Sequence, residues 1–173
     1  MKTTDPQSEF FPLVDKNNNL IGKISRNNAH RSPSKIHRAI YVLVINEKRE
    51  LLLQKRSKTK DIFPGCWDLS VGGHVSYGEE YLDTAVRESK EEIGLQIKIH
   101  DVKYLGEVLV SVSWEQEFFR VYEYYLKPTD TIKLSREEIS DYKFIPMALV
   151  LRKMNEKPEE WSLKAKKVLE TFY

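Results

Sequence analysis

The segment from Gly73 to Leu95, GHVSYGEEYLDTAVRESKEEIGL, constrains the fold most, because it joins a glycine-rich turn to a helix with two different faces. At 3.6 residues per turn one stripe contains Leu82, Ala85, Val86, Ser89 and Ile93. Away from this stripe lie Arg87, Glu88 and Glu91, with Glu92 at its edge. The pattern predicts a helix that packs on a core through one face and turns its acidic side chains outward.

The acidic side chains of this helix form a candidate metal site. Glu88 and Glu92 are like charges four residues apart, an arrangement that destabilises a helix by a few tenths of a kcal/mol unless a cation lies between them. Carboxylate oxygens suit Mg²⁺ or Mn²⁺. Arg87 can reach Glu91 one turn later and hold its carboxylate. The alternative is a solvated surface, since most glutamate-rich helix faces are only that.

The spacing of this segment resembles the signature of the Nudix hydrolases. The pattern here is Gly73, five residues, Glu79, seven residues, then Arg87-Glu88-x-x-Glu91-Glu92-x-Gly94-Leu95, with every charged and glycine position filled. Ser89 departs from it, because the family has an aliphatic residue there. A buried serine hydroxyl can bond to the helix carbonyl four residues earlier. The resemblance implies an α/β fold, a Nudix-type α/β/α sandwich with a mixed β-sheet.

The resemblance also implies a reaction, the divalent-metal-dependent hydrolysis of a diphosphate linkage in a nucleoside diphosphate derivative or related compound. Glu88 and Glu92 are the main expected ligands of Mg²⁺ or Mn²⁺, and the carbonyl of Gly73 completes the coordination. Glu91 is either a third ligand or the general base. Later candidates for the base are Glu115, Glu117, Glu137 and Glu138.

Four further residues have expected supporting roles. Glu79 is expected to orient the loop, and Arg87 to orient the glutamates. Arg56 and Lys60 precede the glycine-rich turn and are candidate phosphate-binding residues, although exposed basic loops more often bind nothing specific.

A narrower resemblance covers most of the first 125 residues and concerns the Nudix branch that includes isopentenyl diphosphate isomerase. The matching segments are Leu13-Val14-Asp15, Ile21-Gly22, His30, His37-Arg38-Ala39, Leu51 to Arg56, Pro64-Gly65-x-Trp67 and Gly73-His74. In that isomerase three histidines and two glutamates hold a metal. The residues that match them here are His30, His37, His74, Glu115 and Glu117.

The two glutamates of this second set lie on one predicted strand. Strand alternation points Glu115 and Glu117 to the same face, so that both can reach one ion. Imidazole nitrogens favour Mn²⁺, Zn²⁺ or another first-row metal over Mg²⁺. The sequence therefore predicts a second site for Zn²⁺ or Mn²⁺, and three ordinary histidines are the alternative.

The isomerase resemblance is incomplete at one position. The isomerase needs a cysteine before the third histidine, and this chain has Gly72 at the cysteine's place. Cys66, the single cysteine of the chain, lies six residues too early. Hydrolysis is therefore the first expectation, isomerisation the second and a non-catalytic diphosphate-binding module the third, although no signature glutamate is missing.

Length and charge limit the class of protein and its partners. A chain of 173 residues fits one domain, expected over residues 1–173 with an N-terminal β-hairpin at about residues 9–25 packed on it. The net charge of +2 comes from well-mixed charges, which give no electrostatic footprint for a nucleic acid polymer. The Nudix resemblance implies a small-molecule diphosphate substrate instead. The lack of long apolar stretches and of a cysteine pair predicts a cytoplasmic protein without a membrane partner. A homodimer is the family-level expectation.

Periodicity and turn signals predict the remaining elements. Two hairpins are expected from Phe10 to Val14 with Leu20 to Ile24, and from Ala39 to Ile45 with Leu51 to Gln54. Further strands are expected at Ile97 to Leu105, Glu107 to Val112, Glu117 to Leu126 and Tyr142 to Ile145. Ser135 to Glu138 indicates a helix or turn start, and helices are predicted at Met147 to Met154 and from Glu159 or Ser162 to Tyr173. Candidates for stacking a base are Trp67, Trp114, Phe118, Phe119 and Tyr122, although aromatic residues on strands more often belong to the core.

Overall fold

The structure is a computed structural model that describes Thr3 and residues 5–173. Within these residues nine strands form one mixed sheet: β1 (Phe10–Val14), β2 (Leu20–Ser25), β3 (Ile36–Ile45), β4 (Glu50–Arg56), β5 (Trp67–Asp68), β6 (Val71–His74), β7 (Lys103–Ser111), β8 (Gln116–Tyr125) and β9 (Ile139–Pro146). The helices are α1 (Arg26–Ala29), α2 (Tyr81–Ile93), α3 (Met147–Glu156) and α4 (Leu163–Phe172). No helix in the described part of the chain has the length and apolar character that a membrane span requires.

Strand β3 lies at the centre of the sheet and explains the layered architecture. It is apolar along most of its length because both of its faces are covered. Tyr41 and Leu43 pack with the buried side chains of α3 and α4. Ile40 and Val42 alternate with them and pack against α2. The mixed sheet thus has helices on both faces, which confirms the predicted α/β/α sandwich.

The predicted stripe of α2 faces this core. Ala85, Ser89 and Ile93 are fully buried, and the helix ends at Gly94, whose φ of 69° places it in the left-handed region that favours glycine. The hydroxyl of Ser89 makes no hydrogen bond among the described residues, so the predicted bond to the helix carbonyl is not formed. Ser89 is therefore a buried polar group without compensation.

The central strands pair differently from the prediction. The expected hairpin of β3 and β4 meets only where Ile45 pairs with Leu51, because β3 lies between β6 and β8 while β4 pairs along its length with β9. The two strands expected between residues 97 and 112 are one strand, β7, preceded by a 3₁₀ turn at Ile99–Asp101. A register shift between Tyr104 and Gly106 lets β7 continue through the point where the prediction placed a break.

The N-terminal hairpin forms as predicted and carries part of the site. Strands β1 and β2 pair antiparallel, and β1 joins the main sheet where Val14 pairs with Ile36. Phe11 is fully buried in a small cluster with Ile24 and Ala29. This packing brings α1, and His30 directly after it, toward the start of β3.

Candidate active site and metal centres

The predicted signature forms one compact unit in which β6 lies directly against α2. A Cβ atom added to Gly73 would lie 2.2 Å from the Cδ atom of Glu88, far below any real contact. Any larger residue at position 73 would therefore displace the carboxylate of Glu88 from its position beside β6. The arrangement leaves the main chain of Gly73 beside Glu88, where its carbonyl was expected to act as a ligand.

Arg87 joins the acidic residues of the signature. Its guanidinium donates to both carboxylate oxygens of Glu79 at 2.9 Å each. It also donates to Glu88 at 2.7 Å and to Glu91 at 3.1 Å, so the predicted contact with Glu91 is present. Glu79 in turn accepts hydrogen bonds from the backbone N–H of Ser76 and the hydroxyl of Thr84. One guanidinium thus fixes three carboxylates and ties the turn to the helix.

Glu92 is buried, so the expectation that all the acidic side chains face outward is wrong for this residue. It is 4% exposed, and one of its oxygens accepts hydrogen bonds from Gln54 Nε2 at 3.0 Å and from the backbone N–H of Gly72 at 3.2 Å. Its position at the edge of the apolar stripe rotates it toward β4 and β6. These donors hold Glu92 next to Glu88 without providing a neutralising cation.

Burial sets the electrostatics of this pair. It raises the pKa of Glu88 to about 7 against the partial opposing effect of Arg87. Burial, followed by the neighbouring charge of Glu88, raises the pKa of Glu92 well above its ordinary value. Carboxylates whose charged form is disfavoured in this way are typical of sites that bind a cation.

The acidic residues of α2 line a cleft of about 280 Å³ together with residues from other parts of the chain. Among these are Glu9, Lys60 and Glu138. Lys60 Nζ lies 2.5 Å from a carboxylate oxygen of Glu138 and also contacts Asp5. Glu9, which sequence reasoning missed, is brought here by its position just before β1.

The other candidate binding residues have different surroundings. Arg56 lines a smaller cavity beside the cleft, where it donates to the carbonyl of Ile62 at 2.9 Å and lies 3.6 Å from Asp68. Glu137 is exposed at the surface. Phe118, Phe119 and Tyr122 are buried core residues, which removes them as candidates for stacking a base, while Trp67 and Trp114 are half-buried.

The second predicted set also comes together. Ligand atoms of His30, His37, His74 and Glu115 all lie within 4.8 Å of one another. Glu117 Oε1 lies 2.9 Å from His74 Nε2 and 3.2 Å from His37 Nε2. The Nε2 atoms of His30 and His74 are 3.2 Å apart. We call these five residues the histidine centre.

The unsatisfied polar atoms of the histidine centre fit a metal ion. Among the described residues, His37 Nδ1 has no hydrogen-bond partner and Glu115 Oε2 accepts no hydrogen bond, although both side chains are fully buried. The other ring nitrogen of His37, Nε2, contacts only Glu117 of the centre. His30 Nδ1 faces Asp61 at 3.5 Å, which leaves its Nε2 turned toward the other ligands. Metal-binding histidines commonly have a carboxylate on the second nitrogen. Burial lowers the pKa of His74 well below its ordinary value, which favours the neutral, metal-binding form.

Three more residues complete the surroundings of this centre, and sequence reasoning missed them. The ring of Phe11 stacks on His74 and His37, with centroid distances of 4.5 and 5.2 Å. Arg26 pairs with Asp61 through two contacts of 3.0 and 3.1 Å. Lys164, in the first turn of α4, contacts both glutamates of the centre. Lys164 lies in the run Lys164-Ala165-Lys166-Lys167, which in the sequence has the composition of an ordinary surface helix.

The two sites share a wall formed by Gly72, Gly73 and His74, three consecutive residues of β6. The backbone of Gly73 borders Glu88, and the next residue, His74, belongs to the histidine centre. Arg26 and Arg56 line cavities on both sides of this segment. The acidic cleft and the histidine centre are therefore neighbours, with basic side chains between them.

Comparison with known proteins agrees with this geometry. The NUDIX domain family model matches residues 35–170. The chain is 31% identical over 137 residues to an uncharacterized Nudix hydrolase of Listeria monocytogenes, covering 79% of each chain. It is also 31% identical over 163 residues to isopentenyl-diphosphate Delta-isomerase 2 of Photorhabdus laumondii, covering 93% of this chain and 90% of the isomerase.

Solved structures support the same fold. A Deinococcus radiodurans protein of known crystal structure superposes with a TM-score of 0.79 and 24% sequence identity, covering 95% of this chain and 99% of that one. Taken with the family match and the arrangement of the signature residues, these likenesses show that the chain belongs to the Nudix family and is a Nudix hydrolase, an enzyme that acts on phosphorus-containing acid anhydrides.

Proposed function

We propose that this enzyme hydrolyses the diphosphate linkage of a nucleoside diphosphate derivative or a related small molecule, with a divalent metal held in the acidic cleft. The observation that carries the proposal is the convergence of Glu88, Glu91 and Glu92 on one cleft beside the backbone of Gly73. Arg87 fixes two of these carboxylates before any ligand arrives. Such preorganisation suits a site that must hold charge without rearranging.

Glu88 and Glu92 are the chief ligands in this proposal, with Glu91 and the carbonyl of Gly73 as further candidates. A donor set made only of oxygens suits Mg²⁺ or Mn²⁺. When bound, such an ion neutralises the charge of the diphosphate and lowers the pKa of water. Arg87 keeps the carboxylates of Glu88 and Glu91 in place.

Two glutamates are suited to accept the proton of the attacking water. The side chain of Glu91 is 56% exposed and therefore open to solvent. Glu138 also lines the cleft, with the ammonium of Lys60 2.5 Å from its carboxylate. Glu115 and Glu117, the earlier candidates, are paired with Lys164 in the histidine centre, and this favours a role as ligands instead. The pH dependence of kcat, measured in Glu91→Gln and Glu138→Gln, separates these two candidates. The fall of kcat at low pH, which reports protonation of the general base, should disappear only in the variant that lacks the base.

Lys60 and Arg56 are the proposed contacts for the phosphate groups. Lys60 lines the cleft and is held by Glu138 and Asp5, so an incoming phosphate would compete with these acids for its ammonium. Arg56 is held against Asp68 between the two sites. We expect Lys60→Met to raise KM more than it lowers kcat, since Lys60 does not lie on α2 with the metal ligands.

The histidine centre is proposed as a second metal site. Three imidazoles and two carboxylates favour Zn²⁺ or Mn²⁺ over Mg²⁺. The buried Nδ1 of His37, which has no hydrogen-bond partner among the described residues, supports this assignment, because such a group is costly unless something binds it. Its residues His30, His37, His74, Glu115 and Glu117 would hold the ion beside the acidic cleft.

Isomerisation of a prenyl diphosphate is the second candidate function, because an isomerase is among the similar proteins. The surroundings of Gly72, which stands at the place of the isomerase's cysteine, favour hydrolysis. A Cβ atom there would lie 2.7 Å from Cε1 of Tyr41. Tyr41 is held in place, because its hydroxyl donates to Asp68 at 2.9 Å and its ring stacks on Phe119. The ring of Tyr41 thus occupies the space that a cysteine side chain at residue 72 would need.

One assay separates these functions. The protein is incubated with Mg²⁺ or Mn²⁺ and a panel of nucleoside diphosphates, nucleotide sugars, dinucleotides and prenyl diphosphates, with Glu92→Gln as the matched control. We expect release of phosphate or a nucleotide by the parent and not by the variant. A shifted double bond in a prenyl diphosphate without hydrolysis would establish the isomerase instead, and turnover equal in both proteins would refute the site assignment.

A further inference from the structure

Asp5 is a buried carboxylate in a segment that has no helix or strand. This segment, residues 5–8, lies just before Glu9 and β1, and we call it the N-terminal strap. Its other residues, 6–8, are exposed, whereas Asp5 is only 5% exposed. Since a carboxylate is seldom fully buried unless it is paired, the partners of Asp5 indicate what its burial serves.

Two cations and one backbone donor hold the carboxylate of Asp5. Its Oδ1 atom contacts Nζ of Lys60 and lies 3.2 Å from Nη2 of Arg26. Its Oδ2 atom accepts a hydrogen bond of 2.8 Å from the backbone N–H of Asp61 and one of 3.1 Å from the hydroxyl of Thr3. Lysine, arginine and backbone N–H groups are also the donors that bind phosphate oxygens in proteins. The carboxylate therefore occupies a place that suits a phosphoryl group.

This place belongs to the acidic cleft. Asp5 and Pro6 line the cleft together with Lys60, Glu88 and Glu92. Lys60 is the proposed contact for a phosphate of the substrate, so Asp5 and that phosphate would need the same ammonium. Both are anions, and their repulsion at such a short distance disfavours having the two there together.

The strap is attached to the rest of the molecule mainly through this carboxylate. Among the described residues, its hydrogen bonds and ion pairs to residues after Glu9 are made by Asp5 and Gln7 alone. The bond of Gln7, from Nε2 to a carboxylate oxygen of Asp61, is long at 3.4 Å. Release of the Asp5 carboxylate would therefore free the strap.

The other carboxylates beside the two cations are fixed more firmly. The backbone carbonyl of Glu138 accepts from the N–H of Ser57 at 2.8 Å, and that of Glu9 accepts from the N–H of Arg26 at 2.8 Å. Asp61 binds the guanidinium of Arg26 through two contacts of 3.0 and 3.1 Å. The strap thus carries the acid that a ligand can displace with the least disturbance of the fold.

We propose that Asp5 is an internal competitor of the substrate: its carboxylate holds Lys60 and closes the N-terminal strap over the acidic cleft, and a phosphate of an incoming diphosphate displaces it. The inference rests on the proposed function, because it assigns the cleft to a diphosphate. The closed strap lowers the apparent affinity for a ligand by the fraction of molecules in which the strap is open. It reserves the cleft for ligands that bind strongly enough to open it.

The first test compares the parent with Asp5→Asn. Asparagine keeps the shape of the side chain and an oxygen that can accept from the N–H of Asp61, but it removes the charge that holds the two cations. Binding of methylenediphosphonate, a diphosphate analogue that is not hydrolysed, is measured by calorimetry with Mg²⁺ present. Asp5→Asn should bind it about tenfold more tightly, the factor expected if the strap is closed in about nine of ten parent molecules. KM for a hydrolysed substrate should fall by a larger factor than any change in kcat.

The second test needs no substitution, so it applies even if Asp5→Asn does not fold. Hydrogen exchange is followed in the parent at the amides of Asp5 and Glu9, which donate to the hydroxyl of Thr3 and to the carbonyl of Pro6. Saturating methylenediphosphonate should speed exchange at both amides, because the displaced strap loses its local hydrogen bonds. A strap that only covers the ligand would exchange more slowly.

Asp101→Asn is the matched control for charge. Asp101 forms the same kind of pair with Lys127, at 2.7 Å, and neither residue belongs to the described lining of the acidic cleft. This variant should change neither the affinity for methylenediphosphonate nor KM. An equal gain in Asp101→Asn would show that the effect of Asp5→Asn comes from net charge, which would overturn the inference.

The remaining outcomes separate the strap from the proposed function. Weaker or unchanged binding by Asp5→Asn, or slower or unchanged exchange at Asp5 in the liganded parent, would refute the strap alone if hydrolysis is present and is lost in Glu92→Gln. A parent that binds methylenediphosphonate and opens the strap, yet hydrolyses no diphosphate, would refute hydrolysis and leave the strap. Absence of binding to both the parent and Asp5→Asn would refute the strap and the assignment of the cleft together.

Discussion

The acidic cleft and the histidine centre differ in how they hold charge, although the two are separated by a single segment of β6. In the cleft, Arg87 contacts three carboxylates, and Glu91 stays largely exposed. In the histidine centre the side chain of every proposed ligand except His74 is fully or almost fully buried, and Lys164 contacts both carboxylates. The cleft offers only oxygen ligands, whereas the centre offers mainly nitrogen.

From this difference we expect the two sites to bind their ions differently. An open, oxygen-lined site can exchange Mg²⁺ and substrate together, since Mg²⁺ is commonly bound through waters and phosphates as well as carboxylates. A buried site with imidazoles retains its ion more tightly. We therefore expect the two sites to respond differently to substitution, pH and chelators.

The largest expected effect is on turnover. Glu92→Gln should keep the fold but lower metal-dependent hydrolysis by about 10³-fold, the upper range for removing one preorganised electrostatic group, and Glu88→Gln should act similarly. Steady-state kinetics with Mg²⁺ and thermal unfolding measure the two properties. If the two sites are independent, the metal content of the histidine centre should stay unchanged in both variants. Parent-level activity in either variant would contradict the assignment of the cleft.

The next effect concerns the stability of the metal-free protein as a function of pH. The pKa of Glu88 is raised to about 7 in the folded state, so between about pH 4.5 and 7 the folded protein holds more protons than the unfolded chain. Stability should therefore fall as the pH rises through this window, by up to about 3 kcal/mol for this one group. Denaturant unfolding in the presence of a chelator measures the change. Glu88→Gln should reduce the slope and leave the part that Glu92 contributes, since the pKa of Glu92 is raised as well. An equal slope in the variant would assign the effect to other residues.

The third effect is specific to the histidine centre. His37→Ala removes a buried ligand and should lower Zn²⁺ or Mn²⁺ affinity by about 10²-fold, since even residues that only orient a ligand are worth 10- to 100-fold. Elemental analysis after dialysis measures the metal that remains. Mg²⁺ binding in the cleft should persist in this variant. His100→Ala is the matched control, because His100 is exposed and lies near Asp101. Unchanged metal content in His37→Ala would remove the second site.

The smallest effect tests the core face of α2 separately from its acidic face. Ser89 is buried with an unpaired hydroxyl, so Ser89→Ala should raise the free energy of unfolding by about 1 kcal/mol. Turnover should stay at the parent level, because Ser89 faces the core and not the cleft. Denaturant unfolding and kinetics on the same preparation decide this. A loss of stability would show that the hydroxyl has a partner, such as a buried water.

Local pattern predicted the parts of the molecule that depend on neighbouring residues. The turn and helix from Gly73 to Leu95 follow from glycine spacing and a helical stripe, and the strand and two helices near the C-terminus were located within a few residues. The pairing of β3 was not predicted, because it depends on which distant strands lie beside it. Glu92 was misjudged for the same reason, since its burial comes from Gln54 on β4 and Gly72 on β6.

The candidate ligands were predicted because their residue types and spacing resemble those of a known family, whereas the residues around them carry no such signal. Glu9, Asp61 and Lys164 each reach the sites through the fold, from the N-terminus, a loop and the last helix. A lysine in a lysine-rich helix cannot be distinguished by sequence from its solvent-exposed neighbours. Only the three-dimensional contacts of Lys164 with two buried carboxylates identify it.

The stacking of Phe11 on two imidazoles has a consequence for how such chains are recognised. The region that matches the family model begins at residue 35, after Phe11, Arg26 and His30. The acidic cleft can thus be recognised within the shared domain, but the histidine centre is closed by a hairpin that lies upstream of it. Two proteins that match the same domain model can therefore differ in whether they bind a transition metal. The N-terminal hairpin with Phe11 is the feature to compare first when deciding which of them do.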